Sequence, residues 1–316
     1  MEKKNQWKAW LYLAPVLILM AIFTFYPIFS TIVISFLKDY NNVTGTHNGF
    51  TFYNYQYVLG FAEKYEGTGI FNQTFFSLNP AGHSAFWNTM FITFVTVPIS
   101  VVLALLIAIL IHSIGPLKKF FQTIFFMPYV TNVIAVGMVF SVIFGQFGIW
   151  NRLFGLGTQW LDVNGATWES VMFVLCLYII WSALPYKILI FLSGLEGIDK
   201  QYYDAARIDG AGKVKTAWKV TVPLLSPQIL YITVTSFIGA FKEYSSVVGL
   251  VNRYYTNNPN KPNLFTAVYW IYDQMSKDSW NTSSQFAAAA AVILLVVILI
   301  FTLIELAVSK KKVVYK

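Results

Sequence analysis

Residues 195–227 read LEGIDKQYYDAARIDGAGKVKTAWKVTVPLLSP, a weakly hydrophobic interval between two long apolar runs. Asp199 is placed to N-cap a helix, and Lys200 to Ile208 contains good helix formers and no proline. Gly210 then stands as a natural C′ residue, because a left-handed turn costs glycine no Cβ clash. Lys213 to Lys219 can restart a helix, and Pro223 suits the opening turn of the next element. The interval predicts two short helices around a glycine corner, a compact knob. The simpler alternative is a solvated loop, which would carry Lys and Arg in any case.

The apolar runs on either side set the class of the chain. Hydrophobic residues make up 57% of the 316 and charged residues 11%, with a mean hydropathy of +0.58. A soluble domain carries about 25% charged residues, so an integral membrane protein is expected. Six stretches are long enough to span: 11–37, 87–112, 120–144, 170–192, 224–248 and 286–308. The fold class predicted is therefore all-α and polytopic, a single transmembrane domain over 1–316. Lys3, Lys4 and Lys8 precede the first stretch as in a signal peptide. Its apolar core is much longer than a secretory h-region, which reads as an uncleaved first span.

Net charge is +8, and its placement matters more than its size. Take the segments outside the spans alternately, beginning with the N-terminus. The odd set holds 14 of the 22 basic residues, among them Lys118, Lys119, Lys200, Arg207, Lys213, Lys215 and Lys219. The even set holds Lys38, Lys64, Arg152, Arg253, Lys261 and Lys277 in longer segments, and Lys187 and Lys242 fall within spans. The positive-inside rule then puts both termini and the 199–222 loop in the cytoplasm and 38–86 outside. The basic excess is a topology signal and not a nucleic-acid footprint. Cys176 stands alone in the sequence and within a span, so no intrachain disulfide is possible.

The knob has a long-range spacing of its own. Asp204-Ala205-Ala206 is followed after three residues by Gly210, and after nine more by Val220-Thr221-Val222-Pro223. This resembles the EAA loop of permease subunits of binding-protein-dependent ABC importers, with Asp204 for the usual Glu and Val220 and Val222 for Ile and Leu. The surrounding YYDAARIDGAG is similar to the sugar-importer, maltose-permease-like branch. Asn54-Tyr55, Phe86-Trp87-Asn88-Thr89 and Gly148-Ile149-Trp150-Asn151 extend the likeness over the chain. Residues 60–84 look like an insertion. The resemblance implies a type I importer permease fold in a bacterial plasma membrane, paired with a second, similar permease. It also implies a dimeric ATPase below, docked on Asp204, Ala205, Ala206, Gly210 and Pro223, and an extracytoplasmic solute-binding protein above. Carbohydrate is the implied substrate, in contact with no cofactor of this chain: ATP and magnesium belong to the ATPase.

Absent motifs agree with a transport subunit. Gly210-Ala211-Gly212-Lys213 partly resembles a phosphate loop, but Arg207 and Val214 stand where Gly and Ser or Thr are needed. His47, His83 and His112 lack metal-ligand spacing, and no Ser/His/Asp or Cys/His set is visible. Charged residues inside a membrane are costly and are functional candidates. Lys187 can snorkel to the cytoplasmic interface. Lys242 and Glu243, in the outer part of the fifth stretch, point about 100° apart if helical. They serve either a solute pathway or an interfacial ion pair or partner contact. Thr131 and Asn132 read as helix-to-helix hydrogen bonds. Sugars need both polar partners and aromatic faces, and Tyr178, Trp181, Lys242, Glu243, Tyr244 and Ser246 offer both, although aromatic packing alone explains many such residues. A non-sugar solute, such as a polyol phosphate or anionic oligosaccharide, stays open, as does an ion-coupled transporter. The last would show paired buried carboxylates and inverted repeats, and neither is found.

Overall fold

The computed structural model describes residues 6–59, 84–114, 117–161, 165–251, 264–276 and 284–309. Among these the regular structure is helical, with one isolated antiparallel bridge between Leu37 and Phe50. Most of the 60–84 insertion, His83 and the basic C-terminal residues 310–316 lie outside the described residues.

Among the described residues four helices are long and apolar enough to cross a membrane: Trp10–Ser35, Ala85–Ser113 (α4), Trp168–Glu196 (α8) and Ser284–Ser309 (α15). The first is α1 (Gln6–Met20) continued by a π-helical turn, Ala21–Phe25, into α2 (Tyr26–Ser35). The other two expected spans are not straight helices. Residues 120–144 form α5 (Lys118–Val130) and α6 (Val133–Ile143), bent by 99°. Residues 224–248 contain α12 (Ser226–Phe241), a non-helical break, and α13 (Ser245–Val251). Counting apolar residues cannot reveal such breaks, because a broken span and a straight one have the same composition.

Two compact units make up the chain: Met1–Phe71 with Trp270–Val296, and Asn72–Tyr269 with Val297–Lys316. In the first, α3 (Tyr53–Leu59) is tied to the end of α2. Asn54 Nδ2 donates to the carbonyls of Ser35 and Leu37, and the hydroxyls of Ser35 and Tyr55 lie 2.7 Å apart. Tyr57 stacks on Phe286 of α15 at 3.8 Å. Asn54 is therefore buried and structural.

In the second unit α4 and α8 pack along their length. Ala104 and Ala108 are fully buried on α4, and small residues there let neighbouring helices approach closely. Around them Val97, Ile111, Phe191, Leu195, Leu225 and Phe241 form a core. Lys187 belongs to this buried region, where Nζ donates to Ser100 Oγ. The expected snorkelling to the interface does not occur, because a hydroxyl partner on α4 lies within reach. Phe86-Trp87-Asn88-Thr89 also has a structural part. Asn88 accepts from Trp168 Nε1 and donates to the Phe265 carbonyl, while Thr89 Oγ1 accepts from the Ala267 amide. Asn151, on the short helix α7 (Ile149–Phe154), donates to Gln146 and Thr158 and accepts from Trp160 Nε1.

Candidate functional site

The two breaks open onto one cavity of about 320 Å³. At the first, Pro128 stands in the last turn of α5 and cannot donate a backbone hydrogen bond. Thr131 and Asn132 are extended, and Asn132 Oδ1 restarts the chain as a helix by accepting from the amides of Ile134 and Ala135. Thr131 Oγ1 donates to the Pro128 carbonyl. Both side chains thus serve their own break and make no helix-to-helix bond in this arrangement.

At the second break α12 stops at Lys242. Glu243 Oε1 accepts from the Ser246 amide at 2.9 Å, and its carbonyl accepts from Thr266 Oγ1 at 2.6 Å. Lys242 and Glu243 lie in a non-helical segment and not on the helix expected, so the 100° separation does not apply. Neither makes an ion pair among the described residues. Non-helical backbone at membrane depth is tolerated where protein buries it or water fills the space it lines.

The half-helices beyond the breaks lie against each other. A Cβ on Gly137 of α6 would fall 2.6 Å from the Gly249 carbonyl carbon of α13, and one on Gly249 would fall 3.0 Å from the Ile134 Cα. Backbone meets backbone here, a contact only glycine permits. The third wall is α8. The Tyr178 hydroxyl donates to the carbonyl of Val133, the first residue of α6. Trp181 is 37% exposed and packs on Phe140 at 5.5 Å.

All six residues chosen for a solute pathway border this one cavity: Tyr178, Trp181, Lys242, Glu243, Tyr244 and Ser246. They do so differently. Tyr178 and Ser246 are buried and brace the frame, whereas Trp181 and Lys242 are exposed. Tyr129, Ser182 and Ser245 also line it and were not anticipated. The pairing of Pro128 with the N-capping Asn132 was the available signal.

Residues 84–313 match the family described as binding-protein-dependent transport system inner membrane component. The chain belongs to that family. It is 30% identical to the arabinooligosaccharides transport system permease protein AraP of Bacillus subtilis, over 84% of this chain and 77% of AraP. It is 28% identical to the lactose transport system permease protein LacF of Rhizobium radiobacter, over 84% of this chain and 82% of LacF. Its fold is similar to that of a chain from a bacterial ABC transporter involved in import of the acidic polysaccharide alginate. That match has a TM-score of 0.75 at 17% identity, covering 98% of this chain and 96% of the other. A chain from a bacterial alginate ABC transporter in complex with an alginate pentasaccharide-bound periplasmic protein gives 0.74 at 17% identity. At this identity the likeness establishes the fold, that of an ABC importer permease.

The permease's knob has the local geometry its sequence predicts. Asp199 Oδ1 accepts from the Gln201 amide at the start of α9 (Lys200–Ile208). Gly210 has φ +69°, its amide donates to Arg207, and the Ala211 amide donates to Ala206, the two bonds of a Schellman motif. A second helical run follows, α10 (Lys213–Thr216), a π turn Ala217–Thr221 and α11 (Val222–Leu224), bent 68° from α12. Pro223 opens α11, and Pro227 opens α12. Ala206 is buried, while Asp204 and Ala205 are exposed, with Asp204 3.6 Å from Arg207. Ile208, Val214 and Trp218 stand exposed on the same knob.

Proposed function

We propose that this permease forms, with a second similar permease, the pathway by which a sugar or oligosaccharide crosses a bacterial plasma membrane. A loaded extracytoplasmic binding protein would deliver the solute. A dimeric ATPase holding ATP and magnesium would supply the energy, and this chain would hydrolyse nothing. The observation that carries the reading is the cavity, where aromatic faces and polar groups converge at two helix breaks as carbohydrate binding needs. One lysine and one glutamate border it, so their formal charges cancel. That balance favours a neutral polyol over a polyol phosphate or polyanion. The saccharide systems named among the relatives support the same substrate class.

The knob is the coupling element in this reading. Asp204, Ala205, Gly210 and the exposed Ile208, Val214 and Trp218 would meet the ATPase, with Ala206 and Pro223 holding the shape. ATP-driven closure would move the knob, and rotation of the helices would turn the cavity from inward- to outward-facing. Binding protein and ATP favour different states, which makes the coupling thermodynamic.

Uptake by proteoliposomes holding the whole importer tests the reading, with labelled arabino-oligosaccharides, lactose and glycerol 3-phosphate as probes. Saccharide uptake is expected, and uptake of the phosphate alone would replace the reading with a polyol-phosphate one. Trp181→Ala should raise the KM for saccharide about tenfold, ~1.4 kcal/mol, at unchanged basal ATPase activity. Glu243→Gln keeps an acceptor for the Ser246 amide and removes the charge. It separates a solute contact, which would alter KM, from a cap, which would not.

Topology has its own check. Asn54 is buried, so exposed Phe50 is the better reporter of the outer segment. Impermeant thiol reagents outside sealed cells should label Phe50→Cys and miss Lys213→Cys. Labelling of position 213 from outside would invert the orientation.

A further inference from the structure

Between Ser226 and Lys242 the exposed residues are Tyr231, Thr235, Gly239 and Lys242, and no Leu, Ile or Val among them is exposed. At 100° per residue Tyr231, Thr235 and Gly239 share an arc of about 80°, and Lys242 follows at the C-terminal cap of α12. The lipid-type pattern is the opposite and occurs on α15, where Leu295, Leu299, Leu303 and Ile304 are exposed. A membrane helix whose most accessible face is its polar face turns that face to water or to protein, since polar groups are costly against lipid.

The face continues the cavity. Lys242 borders the cavity at one end of α12, and Tyr231 lies 11 residues away, about 16 Å along the helix. Facing Tyr231 is Tyr186 of α8, with the two hydroxyls 3.1 Å apart. The Tyr186 ring lies 6.0 Å from that of Tyr129, at an interplanar angle of 19°. Tyr129 itself lines the cavity. Three tyrosines from α5, α8 and α12 thus lead from the cavity toward the end of α12 that joins the knob.

We propose that this face is a second carbohydrate-contacting surface, the water-filled inner leg of the pathway along which solute leaves the cavity toward the knob side. The proposal rests on the sugar-import reading. Pyranose C–H faces lie against aromatic rings, and the Tyr186–Tyr231 hydrogen bond is exchangeable for bonds to sugar hydroxyls. Three modest contacts in series suit passage, which needs binding weak enough to leave. Tyr231, Thr235 and Gly239 carry no charge, so between the Lys242 cap and the knob end this face of α12 offers a neutral solute no fixed charge.

Cysteine labelling tests the surface. Tyr231→Cys, Thr235→Cys and Leu303→Cys are each made in the whole importer, and inverted membrane vesicles are treated with a charged, impermeant methanethiosulfonate. Buried Cys176 serves as the internal blank. Positions 231 and 235 should react at least tenfold faster than 303, and saturating arabino-oligosaccharide during turnover should slow position 231 at least threefold. Thr235→Cys is a small change and remains informative if Tyr231→Cys fails to assemble. Equal rates at 235 and 303 would overturn the proposal, because lipid or a neighbouring subunit then seals the face. Fast labelling that saccharide leaves unchanged, in an importer that takes up saccharide, would overturn the carbohydrate contact. Fast labelling in an importer that takes up no saccharide would refute the sugar-import reading while leaving the hydrated face standing.

Discussion

Gly137→Val is expected to lower the unfolding midpoint of the purified permease by about 6–12 °C. The new Cβ would sit 2.6 Å from the Gly249 carbonyl carbon and 2.9 Å from its Cα and oxygen, all backbone atoms that cannot swing aside. Overpacking costs up to about 3 kcal/mol, and each kcal/mol moves the midpoint of a domain of this order by roughly 2–4 °C. Gly239→Ala is the matched control, because an added Cβ there meets nothing within 4 Å. Alanine is favoured in a helix by about 1 kcal/mol, so its midpoint should hold or rise. An unchanged midpoint for Gly137→Val would mean that α6 and α13 do not touch as described.

Gly210→Val should cut saccharide uptake and substrate-stimulated ATP hydrolysis to roughly a tenth or less while the protein still inserts. No atom lies within 4 Å of a Cβ built at Gly210, so the effect is torsional and not a clash. Its φ of +69° is one that L-residues adopt at a cost of about 1–2 kcal/mol, a factor of about 5–30 in the population of the turned form. Gly210→Asn supplies the comparison, since asparagine tolerates the left-handed turn, and it should retain most activity. Asp204→Lys leaves the turn intact and reverses a charge on the exposed face. It should release the ATPase during co-purification. Normal uptake and normal ATPase retention in both Gly210→Val and Asp204→Lys would remove the knob from the coupling path.

Much of this was legible because it is local. The Asp199 cap, the Gly210 corner and the apolar lengths of α4, α8 and α15 each follow from residues within a few positions of one another. The breaks were harder. Val133 to Ile143 is as apolar as any spanning run, so hydropathy passes straight through Asn132, and only the capping chemistry of its side chain marks the restart. Lys242 ends α12 with neither glycine nor proline beside it to announce the stop. Lys187 was recognisable as costly, but its partner Ser100 lies 87 residues away, and no periodicity reports such a pairing. Asn88 and Asn151 belonged to recognisable motifs, yet their work is to hold loops through backbone carbonyls, which only the fold brings near. The six cavity residues were found by chemistry alone. Their common location follows from two breaks that the same reading treated as continuous helix.

The backbone contact between Gly137 and Gly249 also bears on how such a permease could change its diet. The frame of the cavity is set by main-chain atoms of two half-helices locked together, and by Tyr178 bracing the Val133 carbonyl. None of these contacts is made by Trp181, Lys242 or Tyr244, although Trp181 packs on Phe140 and Tyr244 lies against Tyr269. Substitutions at those three positions can therefore alter which solute is accepted without dismantling the scaffold that presents them. If these three positions contact solute as proposed, residues that set selectivity would be distinct from the glycine pair that sets the frame, and lineages could exchange one sugar for another in few steps. A library randomised at 181, 242 and 244 with both glycines kept would be a compact search space for redirecting import.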